Sequence, residues 1–222
     1  MKIKIGPSLA LHTLKYPYRE LLSPLAERMK FIHPDIISFT AFFVALLIGI
    51  LYYYAGSKAY LLIVNIGLIF LRMTLNTLDG LIALKIGRTS MKGELVNALP
   101  DRYADLFMLI GISFSSLCDT KIGMLTTLTV LLVSYAGMLG KAIGVSWQHH
   151  GPLDKVDRLI LIMIASLIQF ILIKANHSQI CIFNFTLTAL ELLMVLFIIL
   201  GQITIITRVR GMLKEITEAE QE

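Results

Sequence analysis

Residues 76–105 read NTLDGLIALKIGRTSMKGELVNALPDRYAD and sit in otherwise membrane-like sequence. Carboxylates and carboxamides are costly at bilayer depth, so a group of them at helical spacing marks a functional site by default. Asn76 and Asp79 are three residues apart, and Asn97, Asp101 and Asp105 follow at steps of four, so each set shares one helix face. Two such faces turned toward each other would form an oxygen-lined metal site, suited to Mg²⁺ or Mn²⁺ rather than zinc.

Outward from this stretch the chain is apolar. Of 222 residues, 56% are hydrophobic and 16% charged, and the mean hydropathy is +0.77. Six apolar runs are long enough to span a bilayer: residues 34–55, 59–81, 94–117, 122–144, 156–173 and 182–208. They are apolar all round rather than along one stripe, which argues against a soluble helical protein. The expected fold is an all-α membrane protein of six transmembrane helices. Its expected parts are a cytoplasmic interfacial segment over 1–33, a six-helix domain over 34–211 and an acidic cytoplasmic tail over 212–222, of which Glu215–Glu222 is expected to lack structure. Within the first part, Lys15–Lys30 mixes basic residues with Tyr16, Tyr18, Leu21, Leu22, Leu25 and Met29. It reads as an amphipathic helix lying at the headgroups, interrupted near Pro24. The first 30 residues carry no apolar core followed by small residues, so no cleavable signal is expected.

Basic residues set the topology. Fifteen flank one set of loops (six before the first span, then Lys85, Arg88, Lys92, Lys141, Lys155, Arg158, Arg208, Arg210 and Lys214) against Lys58, Lys121 and Lys174 on the other. Both termini and the loop at Lys85–Lys92 are therefore expected in the cytoplasm. The net charge of +5 is accounted for by topology and anionic lipid, and gives no case for nucleic acid. Cys118 and Cys181 fall near external loop ends and read as two unpaired membrane cysteines rather than a disulfide.

The quoted residues resemble the CDP-alcohol phosphotransferase (phosphatidyltransferase) family, whose signature is D-x2-D-G-x2-A-R-x8-G-x3-D-x3-D. Here the same gaps separate Asn76, Asp79, Gly80, Ala83, Leu84, Gly93, Asn97 and Asp101, and five of the eight positions match. Likeness extends to His33–Ser38, similar to the P-N-x-x-T opening of the first span, and to Thr204–Arg208, similar to the T-x-x-x-R ending of the last. The stretches 135–141 and 154–158 look like the inositol-phosphate-using branch, in which basic residues of the fourth and fifth spans hold the acceptor's phosphate.

The resemblance implies an integral-membrane enzyme of phospholipid synthesis. It would move a phosphatidyl group from a CDP-alcohol such as CDP-diacylglycerol to an alcohol acceptor and release CMP. The implied setting is a bacterial or archaeal cytoplasmic membrane, with the active site facing the cytoplasm and the chain paired as a homodimer. Asp79, Asn76, Asn97 and Asp101 would hold one or two ions of Mg²⁺ or Mn²⁺. Asp101, about 10–12 Å into its span at ~1.5 Å per residue, would be the general base. Gly80, Ala83 and Gly93 would let the nucleotide approach. Arg88, or else Lys85, would supply the cation that Leu84 cannot, and Lys141, Lys155 and Arg158 would hold acceptor or lipid phosphate.

Three departures stand out: Asn76 and Asn97 where the family has Asp, and Leu84 where it has Arg. Asn keeps a carbonyl oxygen but no charge, so metal should bind more weakly. Two divalent ions with a diphosphate, Asp79 and Asp101 sum to about zero, whereas four aspartates leave about −2.

Plainer readings accompany each residue. Gly80 and Ala83 alone suggest helix packing, Asn97 an interhelical hydrogen bond, and Lys141, Lys155 and Arg158 positive-inside anchors. Asp105 lies outside the signature and reads as structural, paired with Arg72 or Arg102. Pro100 is a candidate kink, and His149-His150 a solvated loop pair. Two rival functions remain: a family member that binds nucleotide or lipid without turnover, and a small transporter. The second is disfavoured because the outer halves of the spans are almost wholly apolar.

Overall fold

The chain is built of seven helices and two short strands in a computed structural model that describes residues 15–87, 91–146, 151–182 and 185–221. In order these are α1 (Lys15–Arg28), α2 (Pro34–Ala55), α3 (Tyr60–Lys85), α4 (Met91–Ser113), α5 (Thr120–Ala142), α6 (Lys155–Lys174), β1 (Ile180–Ile182), β2 (Phe185–Leu187) and α7 (Ala189–Ala219). Helix starts follow local chemistry. His33 caps α2 through Nδ1 with Pro34 in the first turn, Asp119 accepts from the Lys121 and Ile122 amides, and Thr188 accepts from the Glu191 amide.

Helices α2 to α7 close into a ring, each touching its neighbours in the order α2, α3, α6, α7, α5, α4 and back to α2. Ile48, Tyr52, Leu62, Ile69, Met108, Ile112, Ile162 and Phe197 fill its centre. Large apolar side chains such as Phe43, Phe70, Leu128, Ile171 and Ile199 point outward, as a lipid-facing surface requires. Five helices (α2, α3, α5, α6 and α7) are long and apolar enough to cross a membrane. The run expected as the third span is α4, a helix of the ring that carries Lys92, Glu94, Asp101, Arg102 and Asp105 in its first half.

Some expectations need correction. Helix α1 runs through Pro24, where an interruption was expected; Pro100 lies inside α4, as the sequence placed it. The last helix begins at Ala189 rather than 182, because Ile180–Ile182 and Phe185–Leu187 pair as antiparallel strands. It then continues to Ala219, taking in most of the tail expected to lack structure, where Glu215 accepts from the backbone N–H and hydroxyl of Ser146 at 2.8 and 2.5 Å. Cys118 and Cys181 are both free. The Arg88 and His149-His150 positions lie outside the described residues.

Helix α1 packs Leu22 and Ala26 against Ile37, Leu78 and Ile82. Its Glu27 bonds Lys30 and Lys85 at 2.8 and 2.9 Å, which together hold the exposed carboxyl down to about 2. A depressed carboxylate supports the fold above its ordinary range, so this tie is lost only as pH falls toward 2.

Helices α2 and α4 approach closely where a Cβ on Gly49 would strike the Phe107 carbonyl and one on Gly111 the Gly49 carbonyl. Small residues allow this approach. Gly111→Val should therefore force α2 from α4 and cost about 1–3 kcal/mol or more. Gly67→Val, where a Cβ meets nothing within 4 Å, should cost far less. Thermal unfolding in detergent, followed by size-exclusion recovery, measures both.

Candidate functional site

At one end of the ring, α2, α3 and α4 bring together a cleft with Ser38, Ala41, Phe42, Arg72, Asn76, Pro100, Asp101 and Ala104 on its walls. It encloses little space, so it suits the reacting part of a ligand rather than a whole lipid. The sequence logic of facing polar helices holds: Asn76 Nδ2 on α3 donates to Asp101 Oδ1 on α4 at 2.9 Å.

Asp101 is engaged on both oxygens. Oδ1 also lies 3.4 Å from Arg72, and Oδ2 accepts from Lys155 Nζ at 2.5 Å. Lys155 thus borders the cleft, among the three basic residues considered for phosphate. Arg158 does not share that freedom. Its guanidinium donates to Asp105 at 2.7 Å and to the Leu153 carbonyl at 3.1 Å, all in buried surroundings. Lys141 is exposed at the end of α5.

Asp79 is buried beside the cleft. One oxygen accepts from Ser38 at 2.7 Å, and Oδ1 has no hydrogen-bond partner. Arg72 is 1% exposed, and its Nε and Nη1 likewise lack partners. Buried polar atoms are almost always satisfied, so orphans of opposite character beside one cleft call for a ligand carrying both charges. In the sequence reading Arg72 stands only as a candidate partner of Asp105. Its signal is position: it stands one turn before Asn76. Ser38 occupies the last position of the motif that opens α2.

Other residues divide between site and scaffold. A Cβ on Gly80 would meet nothing within 4 Å, so helix packing does not explain this glycine. Lys85 is committed to α1 through Glu27 and the Ser23 carbonyl, at 2.9 and 3.2 Å. Ala83 is half-buried. Gly93 and Asn97 lie in the first turns of α4, and their side-chain surroundings fall outside the described residues. Asp105 is structural, but its closest partner is Arg158; Arg102 stands 4.0 Å away and hydrogen-bonds Ser134, while Arg72 turns to Asp101. The T-x-x-x-R ending has a plain physical basis. Thr204 accepts from the Leu153 amide at 3.1 Å, and Arg208 one turn on donates to the Val133 carbonyl and faces Asp154 at 3.7 Å. Together they pin the segment that leads into Lys155.

The half of the bundle away from the cleft is less uniformly apolar than the sequence suggests, holding Tyr52, Asn65, Ser166 and Gln169. All four are buried; Tyr52 and Ser166 bond each other at 2.7 Å, whereas the Asn65 amide has no hydrogen-bond partner.

Among the described residues, no group of three His, Cys, Asp or Glu side chains could hold a metal. Amide oxygens must contribute if one binds. Asp79 Oδ1 fits such a role, since a buried anionic oxygen without a donor is matched by a hard cation.

Fold and site together define a helical membrane protein with an acidic, amide-rich and cationic cleft at one end of its bundle. No family model matches the chain. It is 25% identical over 155 residues to the inner membrane protein YnbA of Escherichia coli, spanning 69% of this chain and 77% of that protein. It is 26% identical over 154 residues to the archaetidylinositol phosphate synthase of Methanothermobacter thermautotrophicus, spanning 69% and 75%. The like-named Pyrococcus horikoshii protein is 31% identical over 93 residues, 42% of this chain and 50% of that one. Among solved structures, Mycobacterium tuberculosis phosphatidylinositol phosphate synthase with CDP-DAG bound superposes with a TM-score of 0.69 at 17% identity, covering 87% of this chain and 94% of that one. Its complex with manganese and citrate gives 0.68 at 18%, covering 86% and 88%. These superpositions establish the shared fold. The relatives, at 25–31% identity, and the signature spacing agree with the resemblance to the CDP-alcohol phosphotransferase family drawn from residues 76–101.

Proposed function

We propose that the chain transfers a phosphatidyl group from a CDP-activated lipid such as CDP-diacylglycerol to an alcohol acceptor, releasing CMP. The observation that carries this reading is the pair of buried orphans, an acceptor on Asp79 and donors on Arg72, at a cleft bordered by Asp101. A diphosphate accompanied by a divalent cation satisfies both at once. The solved relatives with CDP-DAG and with manganese support the same assignment.

Asp79 and the amide oxygens of Asn76 and Asn97 would hold Mg²⁺ or Mn²⁺, which neutralises charge on the diphosphate. Arg72 takes a diphosphate oxygen. Gly80, Ala83 and Gly93 leave room for the nucleotide, with Arg88 placed to meet it. Lys155 moves from Asp101 to the incoming phosphate, uncovering Oδ2. That oxygen then takes the acceptor's hydroxyl proton as the alcohol oxygen bonds to the lipid-linked phosphorus and the bond to the CMP oxygen breaks. Lys141 offers a further cation to acceptor or lipid phosphate, and Arg158 positions α6 through Asp105.

Six spans follow if α4 crosses with its charges turned into the ring. The cleft then faces the cytoplasm, as the basic loops require. Cysteines placed at Arg88 or His149 should react only with reagents that reach the cytoplasm; labelling from outside contradicts this orientation. The homodimer implied by the family is checked by light scattering of the detergent-solubilised protein. Turnover is tested by incubating purified protein with CDP-diacylglycerol, Mg²⁺ or Mn²⁺ and a panel of alcohols. CMP release dependent on metal and on one acceptor class is expected.

A further inference from the structure

We infer that this chain works with one divalent ion per active site, Arg72 and Lys155 supplying the charge that a second ion would bring; the inference rests on the transferase reading above.

Three observations converge on it. First, Asp101 is already coordinated by protein: Asn76 and Arg72 on Oδ1, Lys155 on Oδ2. Second, the group that Asn76 turns to Asp101 is an N–H. An aspartate at position 76 would bring two carboxylates to about this 2.9 Å spacing, which needs a cation or a shared proton between them. The amide supplies a proton where that cation would sit. Third, Asp79 Oδ1 is the one carboxylate oxygen among the described residues of the cleft that is buried without a partner, leaving one vacancy for a cation.

Charge decides between one ion and two. Asp105 is paired with Arg158 and Asp154 with Arg208, so both pairs cancel. Half-buried Arg102 and buried Asp157 carry opposite charges and add nothing to the sum. What remains is Asp79 and Asp101 with a diphosphate, about −4, against Arg72 and Lys155, +2. One divalent ion brings the sum to zero. A second would leave +2 uncompensated at membrane depth, where unbalanced charge is costly. The count made from sequence reached zero with two ions only because it left out these two cations. On this account Asp101 is a base and not a ligand, and the ion is held by Asp79 with amide oxygens.

The test is Mn²⁺ binding to the full-length protein in nanodiscs that contain CDP-diacylglycerol, by equilibrium dialysis and electron paramagnetic resonance. Wild type should bind one ion per chain with the spectrum of an isolated Mn²⁺, and Asp79→Asn should lose it. Lys155→Met, which keeps the stem and frees Asp101 Oδ2, should admit a second ion, as should Asn76→Asp combined with Asn97→Asp. Two ions in wild type, with the broadened spectrum of a coupled pair, overturn the inference, as does binding of none. A Lys155→Met protein that still takes up a single ion shows that Lys155 does not stand in for one. CMP release measured on the same samples separates the two claims. Turnover with two bound ions sinks the one-ion inference alone, whereas one bound ion without turnover on any CDP-lipid sinks the transferase reading.

Discussion

Replacing Asp101 by Asn should lower CMP release by about 10²-fold or more while leaving binding of the CDP-lipid largely intact. The substitution keeps size and one hydrogen-bonding oxygen but removes the basicity that deprotonation of the acceptor needs. Donor binding should survive because the groups assigned to the diphosphate, Arg72 and Asp79 with its ion, are untouched. Single-turnover measurements at saturating donor separate the two effects. Near-normal turnover in Asp101→Asn would move the base to another residue of the cleft.

Asp105→Asn, one turn further along α4, should fail in a different way. Asp105 and Arg158 meet at 2.7 Å with side chains that are each 5% exposed. Neutralising one partner leaves a buried guanidinium short of its closest counter-charge, a change that costs on the order of 3–5 kcal/mol. The expected result is a large loss of thermal stability and of folded yield, with turnover per folded molecule within about 10-fold of wild type. Asp105→Asn combined with Arg158→Met removes both charges and should recover much of the stability. Loss of turnover without loss of stability would instead place Asp105 in the chemistry.

The sequence was informative where polar residues stood against an apolar background. Asn76, Asp79 and Asp101 were visible because carboxylates and amides are rare at membrane depth, and helical spacing alone placed them on facing surfaces. Span positions were legible from apolar runs for α2, α3, α5 and α6 within a few residues. The start of α7 was not, because 180–187 are as apolar as a span and only the pairing of Ile180–Ile182 with Phe185–Leu187 sets them apart. Partners were the least legible level. Nothing in spacing says that Lys155 reaches Asp101 across 54 residues, that Arg158 belongs to Asp105, or that Lys85 holds α1. Such pairs are set by which helices become neighbours in the ring. Arg72 was passed over for a related reason, since a lone arginine within an apolar run shows its purpose only when the opposing helix is known.

The account rests on a coupled transfer, and the most direct measurement follows both products in one mixture. Purified wild-type protein, CDP-diacylglycerol, Mn²⁺ and the active acceptor should yield CMP and a new phosphatidyl-alcohol in equal amounts, with neither formed when metal or acceptor is left out. CMP accompanied by phosphatidic acid alone, or no product with any acceptor and metal, would contradict it.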